Sequence, residues 1–138
     1  MTKTRVAKRL RATKSASTLL VLFIPSVDRD ERPVDQANWA KEALRFLGTV
    51  FGGATAFPQA KGVWRDDSRK GQLVFDDPVV VQCYTNEITL EAHVEPLRDL
   101  LVRMGKATNQ GAVGLVIDRD YLEIQFPLKE TRRGKKHS

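Results

Sequence analysis

The run Trp64-Arg65-Asp66-Asp67, with Arg69 and Lys70 just behind it, is the densest group of chemically able side chains in the sequence. An indole face beside two guanidinium groups could grip a phosphate or a carboxylate: the ring stacks while the forked donors of Arg65 and Arg69 meet the anion's oxygens. The competing role is structural. Strand-end tryptophans usually pack, and the neighbouring charges would then line a solvated turn. Trp64, Arg65, Asp66, Asp67 and Arg69 therefore form the candidate binding loop, with no catalytic residue assigned.

Three acid pairs follow the same logic. Asp66/Asp67, Asp76/Asp77 and Asp118/Asp120 could converge on Mg²⁺ for phosphoryl chemistry. Each pair also falls where a turn is needed, and aspartate is a favoured turn residue. No metal or cofactor is expected. Cys83 and His93 could act as nucleophile and base only if the fold joined them. Cys83 lies in an apolar run and reads as core filling, and His93 stands between Glu91 and Glu95 on a solvated face. Asn109-Gln110 before Gly111 reads as an ordinary helix end. Phosphate-binding loop, dinucleotide, zinc-protease, hydrolase-elbow and CxxC motifs are all missing from the sequence.

Charge is unevenly placed. The chain of 138 residues carries a net charge of +6. Lys3, Arg5, Lys8, Arg9, Arg11 and Lys14 precede the first acid, and Lys129, Arg132, Arg133, Lys135 and Lys136 crowd the end against Glu130 alone. The body between is left with twelve cations against sixteen acids. Basic arms on an acidic body suit contact with a polyanion by counterion release, or simple solubilisation. The arm residues Lys3, Arg5, Lys8, Arg9, Arg11, Lys14, Arg132, Arg133, Lys135 and Lys136 are the candidate nucleic-acid contacts. A single cysteine excludes an internal disulfide and fits a reducing, cytoplasmic setting. The apolar run Leu19–Ile24 is too short for a signal peptide or a membrane span.

The elements that must hold these residues follow from periodicity. Residues 1–17 and 128–138 read as disordered basic arms around one domain at 18–127. Leu19–Ile24 reads as a buried central strand. Ala40, Ala43, Leu44, Leu47 and Phe51 mark a helix capped by Asp35 and stopped at Gly52-Gly53. A second strand runs from Ala54 to about Trp64, weakened at Pro58. A third joins Leu73–Phe75 to Val79–Tyr84 across Asp76-Asp77-Pro78. Residues 87–95 fit either helix or strand, and Leu97, Leu100, Leu101 and Met104 fix a helix beyond them. Val113–Ile117 and Tyr121–Phe126 pair as a hairpin. This order implies an α+β, ferredoxin-like β-α-β-β-α-β fold with an extra C-terminal strand, its antiparallel sheet carrying two helices on one face.

The run GGATAFPQAKGVWRDDSRKGQLVFDDPVVV resembles that of small bacterial proteins of unknown function. They share the glycine, proline, Gly-x-Trp and glycine-turn positions that are Gly53, Pro58, Gly62, Trp64 and Gly71 here, and the later NQGAVGLVIDRDYLEI is similar to their C-terminal part. The resemblance spans about residues 19–126 and implies the fold without an activity.

The function expected from these observations is a non-enzymatic binding or accessory protein that recognises a protein partner, with arms that contact nucleic acid. Paired strand aromatics of the RNA-recognition type are missing, so any such contact would be arm-driven. The alternatives are a small enzyme on the same scaffold, acting on a phosphate-bearing or small organic substrate near Trp64, and a homodimeric structural scaffold.

Overall fold

The computed structural model describes residues 2–129. Strand β1 (Thr18–Ile24) sits at the centre of a five-stranded sheet. It pairs antiparallel with β5 (Val79–Thr85) on one side and β6 (Ala112–Ile117) on the other; β2 (Thr55–Phe57) and β7 (Asp120–Gln125) are the edges, giving the order β2-β5-β1-β6-β7. The fold is α+β, with every pairing in this sheet antiparallel.

Alternation decides what each face carries. Leu20, Leu22 and Ile24 of β1 meet Val81 and Cys83 of β5 and Val113 and Leu115 of β6 in one buried layer. Helix α2 (Gln36–Phe51) covers it with Ala43 and Leu47, and α4 (Val94–Ala107) with Leu97, Leu101 and Met104. The stripe read from the sequence is the one α2 buries. Asp35 caps it by accepting from the Asn38 amide, and Gly52 ends it in the left-handed conformation (φ 94°).

The ambiguous segment at 87–95 is helical and broken. Asn86 caps α3 (Glu87–Ala92) by accepting from the Thr89 amide; the chain kinks at His93, and α4 begins beyond it. Pro96 falls in the first turn of α4, where its missing amide costs nothing. At the far end Gly105 gives room for the Phe126 ring, which any β-carbon there would strike.

Two expectations are corrected. The second and third strands were each read as one element, weakened at Pro58 and interrupted at Asp76-Asp77-Pro78, yet each divides between two sheets. After β2 the chain leaves the main sheet at Pro58, forms a separate hairpin of β3 (Gly62–Asp66) and β4 (Gln72–Asp76), and re-enters at β5. Prolines 58 and 78 lack the amides that would continue either ladder, and the hairpin is pinned at its base by the Ala60 amide donating to the Pro78 carbonyl (2.8 Å). The N-terminal arm, expected to lack structure, carries helix α1 (Lys3–Leu10) with Thr2 as its N-cap, although none of its residues is buried. Arg132, Arg133, Lys135 and Lys136 lie outside the described residues. No helix among the described residues is long and apolar enough to cross a membrane.

Candidate functional site

The β3–β4 hairpin lies over the sheet face that the helices leave open. Its inward pair is Trp64 opposite Val74, the latter fully buried; its outward residues Val63, Leu73 and Phe75 are all more than half exposed. Between hairpin and sheet is a cavity of about 230 Å³ lined by Phe23, Trp64, Asp76, Gln110, Tyr121 and Glu123, among others.

Two glycines make room for its rings. At Gly111 a β-carbon would come within 3.0 Å of the Trp64 ring and 3.4 Å of the Arg29 guanidinium, so the indole rests on bare backbone. At Gly114 it would collide with the Tyr121 ring and hydroxyl. A glycine inside a strand is costly, and close approach by another group is a usual reason for one. Tyr121 donates to Glu123 Oε2 (3.0 Å), and Gln125 donates to the other carboxylate oxygen (3.3 Å). Partial burial of the phenol, with Glu123 beside it, pushes its pKa up to about 12, so Tyr121 stays neutral and a donor. Asp76 accepts from the amide and hydroxyl of Ser26 (2.8 and 2.5 Å).

The charged residues of the candidate loop are engaged elsewhere. Arg65 turns outward to Asp67 (2.6 Å), with both side chains mostly exposed. Arg69 binds Asp30 (2.6 Å). Asp66 is only 3% exposed and takes hydrogen bonds from the Ser68 hydroxyl and amide and from Arg29. Those donors, Ser68 foremost and then Arg29, hold its carboxyl below the usual range despite the burial that opposes them. Of the five loop residues, then, Trp64 alone lines the cavity, while the other four clamp the hairpin or face solvent. The imagined anion grip by Arg65 and Arg69 is not formed, because each guanidinium already has a carboxylate.

The remaining candidates separate in the same way. Asp77 meets Lys61 (3.4 Å), and Asp118 accepts from the Leu19 amide (2.9 Å). Among the described residues, no three histidine, cysteine or acidic side chains converge as metal ligands would. Cys83 is buried, which pushes its thiol up to about 11, and His93 Nδ1 lies 2.9 Å from the Thr89 carbonyl oxygen. Asn109 and Gln110 do more than end a helix: Gln110 donates to the Val27 and Thr108 carbonyls, and Asn109 to Asp30 (3.3 Å), tying the α4–β6 turn to the loop after β1. Sequence reasoning missed Phe23, Tyr121 and Glu123. The signal was present in Gly111 and Gly114, two glycines flanking a strand start in NQGAVG.

No protein-family model matches the chain, and no curated protein matches it in sequence. Two solved structures do share its fold. A phage SAM lyase in complex with S-methyl-5′-thioadenosine superposes with a TM-score of 0.64 at 18% identity, covering 86% of this chain and 98% of that one. A phage SAM lyase in the apo state gives a TM-score of 0.58 at 16% identity, covering 86% and 96%. At such identities the likeness is one of fold. It nevertheless corrects the expectation of a non-enzymatic binding or accessory protein, because an enzyme uses this architecture over nearly its whole length. The enzyme alternative is the one these neighbours favour.

Proposed function

We propose that this protein is a small enzyme acting on a cationic sulfonium nucleoside of the SAM class, in the cavity beneath the β3–β4 hairpin. The strand order, with a hairpin inserted before β5 and one strand added after β6, is read as the ferredoxin-like arrangement.

The observation that carries the proposal is the make-up of the cavity wall. Three aromatic rings, Phe23, Trp64 and Tyr121, stand with two carboxylates, Asp76 and Glu123, and among the described residues no lysine or arginine lines the space. Ring faces and carboxylates attract a cation and repel phosphate. A sulfonium is such a cation, and its charge vanishes when a carbon–sulfur bond breaks and the sulfur leaves with the electron pair. Yielding S-methyl-5′-thioadenosine from SAM requires that cleavage on the amino-acid side. The electrons at carbon can come from the substrate's own carboxylate, which closes a lactone with no proton to move. They can come instead from the adjacent C–H bond, with Glu123 taking the proton and an alkene remaining. At about 230 Å³ the cavity is below the usual range for ligand sites, so a whole nucleoside requires the hairpin to lift.

The test is incubation of the full chain with SAM and mass spectrometry of the products. S-methyl-5′-thioadenosine is expected without added metal, and the second product, lactone or alkene, identifies the route. Trp64→Ala should lose about 3–30-fold in kcat/KM, the value of one cation–π contact. No product, together with no SAM binding by calorimetry, would refute the reading.

A further inference from the structure

We infer that helix α1 seats in an apolar groove on a second copy of this chain, so that two chains exchange their N-terminal arms. The groove lies on the helix side of the sheet, away from the proposed active site. Leu90, Val94, Leu97 and Leu101 form one wall, and Leu115, Ile117, Leu122 and Ile124 the other; its volume is about 520 Å³. The apolar lining is not fully covered: Val94 is 49% exposed and Leu122 46%. Among the described residues, Glu87, Glu91 and Asp118 edge the groove against one cation, Arg98.

Helix α1 is the complementary object. Val6, Ala7 and Leu10 share one side of it, and Arg5, Lys8 and Arg9 the other. It buries nothing: Leu10 is 73% exposed, and none of the cations of α1 pairs with a carboxylate among the described residues. Eight residues are too few for a helix to persist alone in water, where about 12–15 are marginal. A short amphipathic helix of this kind needs a surface, and a basic one suits an acid-edged groove.

The course of the arm selects a second copy over the chain's own groove. Lys14, Ser15 and Ala16 lie with Gly52, Gly53, Tyr84 and Asn86, beyond the β5 side of β1. The groove touches the arm's end only at Thr18 and opens toward the opposite side, along β6 and β7. Fixed along that course, the arm leads α1 away from its own groove and outward. Reciprocal seating gives a closed, two-fold interface in which each chain offers the same two surfaces.

Light scattering and cross-linking of the full chain test this. Wild type at tens of micromolar should have twice the 15.5 kDa chain mass. Leu10→Glu and Val94→Glu, both at exposed positions, should each weaken the dimer at least tenfold with unchanged far-ultraviolet circular dichroism. The double variant Leu10→Cys/Val94→Cys should form a disulfide-linked pair on mild oxidation, Cys83 being buried. Glu87→Lys/Glu91→Lys should weaken dimerisation, and Arg5→Glu/Lys8→Glu should restore it. A monomeric wild type, a cross-link within one chain, no cross-link, or a dimer that survives Leu10→Glu but is lost in Phe75→Glu would each overturn the inference. None of these readouts depends on SAM turnover.

Discussion

Arg29 Nη2 lies 2.9 Å from Asp66 Oδ2 and 3.2 Å from Oδ1, joining the loop after β1 to the tip of the β3–β4 hairpin across 37 residues of sequence. The same nitrogen donates to the Ser68 hydroxyl (2.7 Å), and the Arg29 amide donates to the Asn109 carbonyl. Arg69 reinforces the joint through Asp30. Among the described residues the hairpin shares no strand pairing with the main sheet. Side-chain bonds at this latch and the Ser26–Asp76 contact near its base hold it over the cavity, together with the Ala60–Pro78 backbone bond and the burial of Val74.

Breaking the latch should free the hairpin. Asp66→Asn leaves Arg29, which is mostly buried, without its counter-charge, and removing one partner of a buried pair costs about 3–5 kcal/mol. Partial exposure of Arg29 puts the expected loss at the lower end. Hydrogen exchange should rise at residues 62–76 and stay unchanged in β1, β5 and β6. Equal protection in the variant and wild type would show that the hairpin holds without the pair.

Acid should open the same latch. The Asp66 carboxyl is depressed in the fold, so the folded state binds fewer protons than the unfolded chain wherever that group titrates. Its contribution is fully present above the unfolded value of about 3.9 and is lost as pH falls through the lower folded value. Trp64 emission should therefore be steady from pH 8 to about 4.5 and shift below about 4, measured with Trp39→Phe to isolate it. In Asp66→Asn that acid step should vanish.

The parts of the fold that were legible in the sequence are those governed by local rules. Asp35, Gly52 and the Ala43–Leu47 stripe declare α2 through capping and periodicity, and Leu19–Ile24 declares the central strand through its apolar run. The inserted hairpin was not legible, since Val63-Trp64-Arg65 and Leu73-Val74-Phe75 have strand character whichever sheet they join, and only long-range packing assigns them. Trp64 was found because tryptophan is rare and sits among charges. Its partners Tyr121 and Glu123 were not, because they are 57 and 59 positions away and are brought near by β7 lying beside β6. The charges around Trp64 suggested an anion site. Their pairing with Asp67, Asp30 and Asp66 removes that meaning, and pairing of this kind cannot be read from composition.

The Gly114 position should separate stability from function. An alanine there strikes the far end of the Tyr121 side chain, which can swing outward over an edge strand with much of its ring already exposed. Unfolding free energy should change by no more than about 1 kcal/mol, as for most surface changes. The cavity would nevertheless lose one ring and the Tyr121–Glu123 hydrogen bond. SAM-cleaving activity should fall at least tenfold in Gly114→Ala while the urea midpoint barely moves. Wild-type kinetics in a variant that keeps its stability would remove Tyr121 from the site.

Thiol reagents should leave the folded chain untouched. Cys83 lies on β5 opposite Leu20, facing the helices and away from the cavity, and is 3% exposed. Its pKa, pushed up to about 11 by burial, leaves about one part in ten thousand as thiolate at pH 7. Iodoacetamide at pH 7.5 should not modify the folded chain within hours, and added urea should make the thiol reactive in step with loss of the circular dichroism signal. Cys83→Ala should retain full SAM turnover and lose about 1–2 kcal/mol of stability, the effect of removing a small buried hydrophobe. Rapid inactivation of the native protein by one equivalent of reagent would place the thiol at the working surface and would require a different site from the one described.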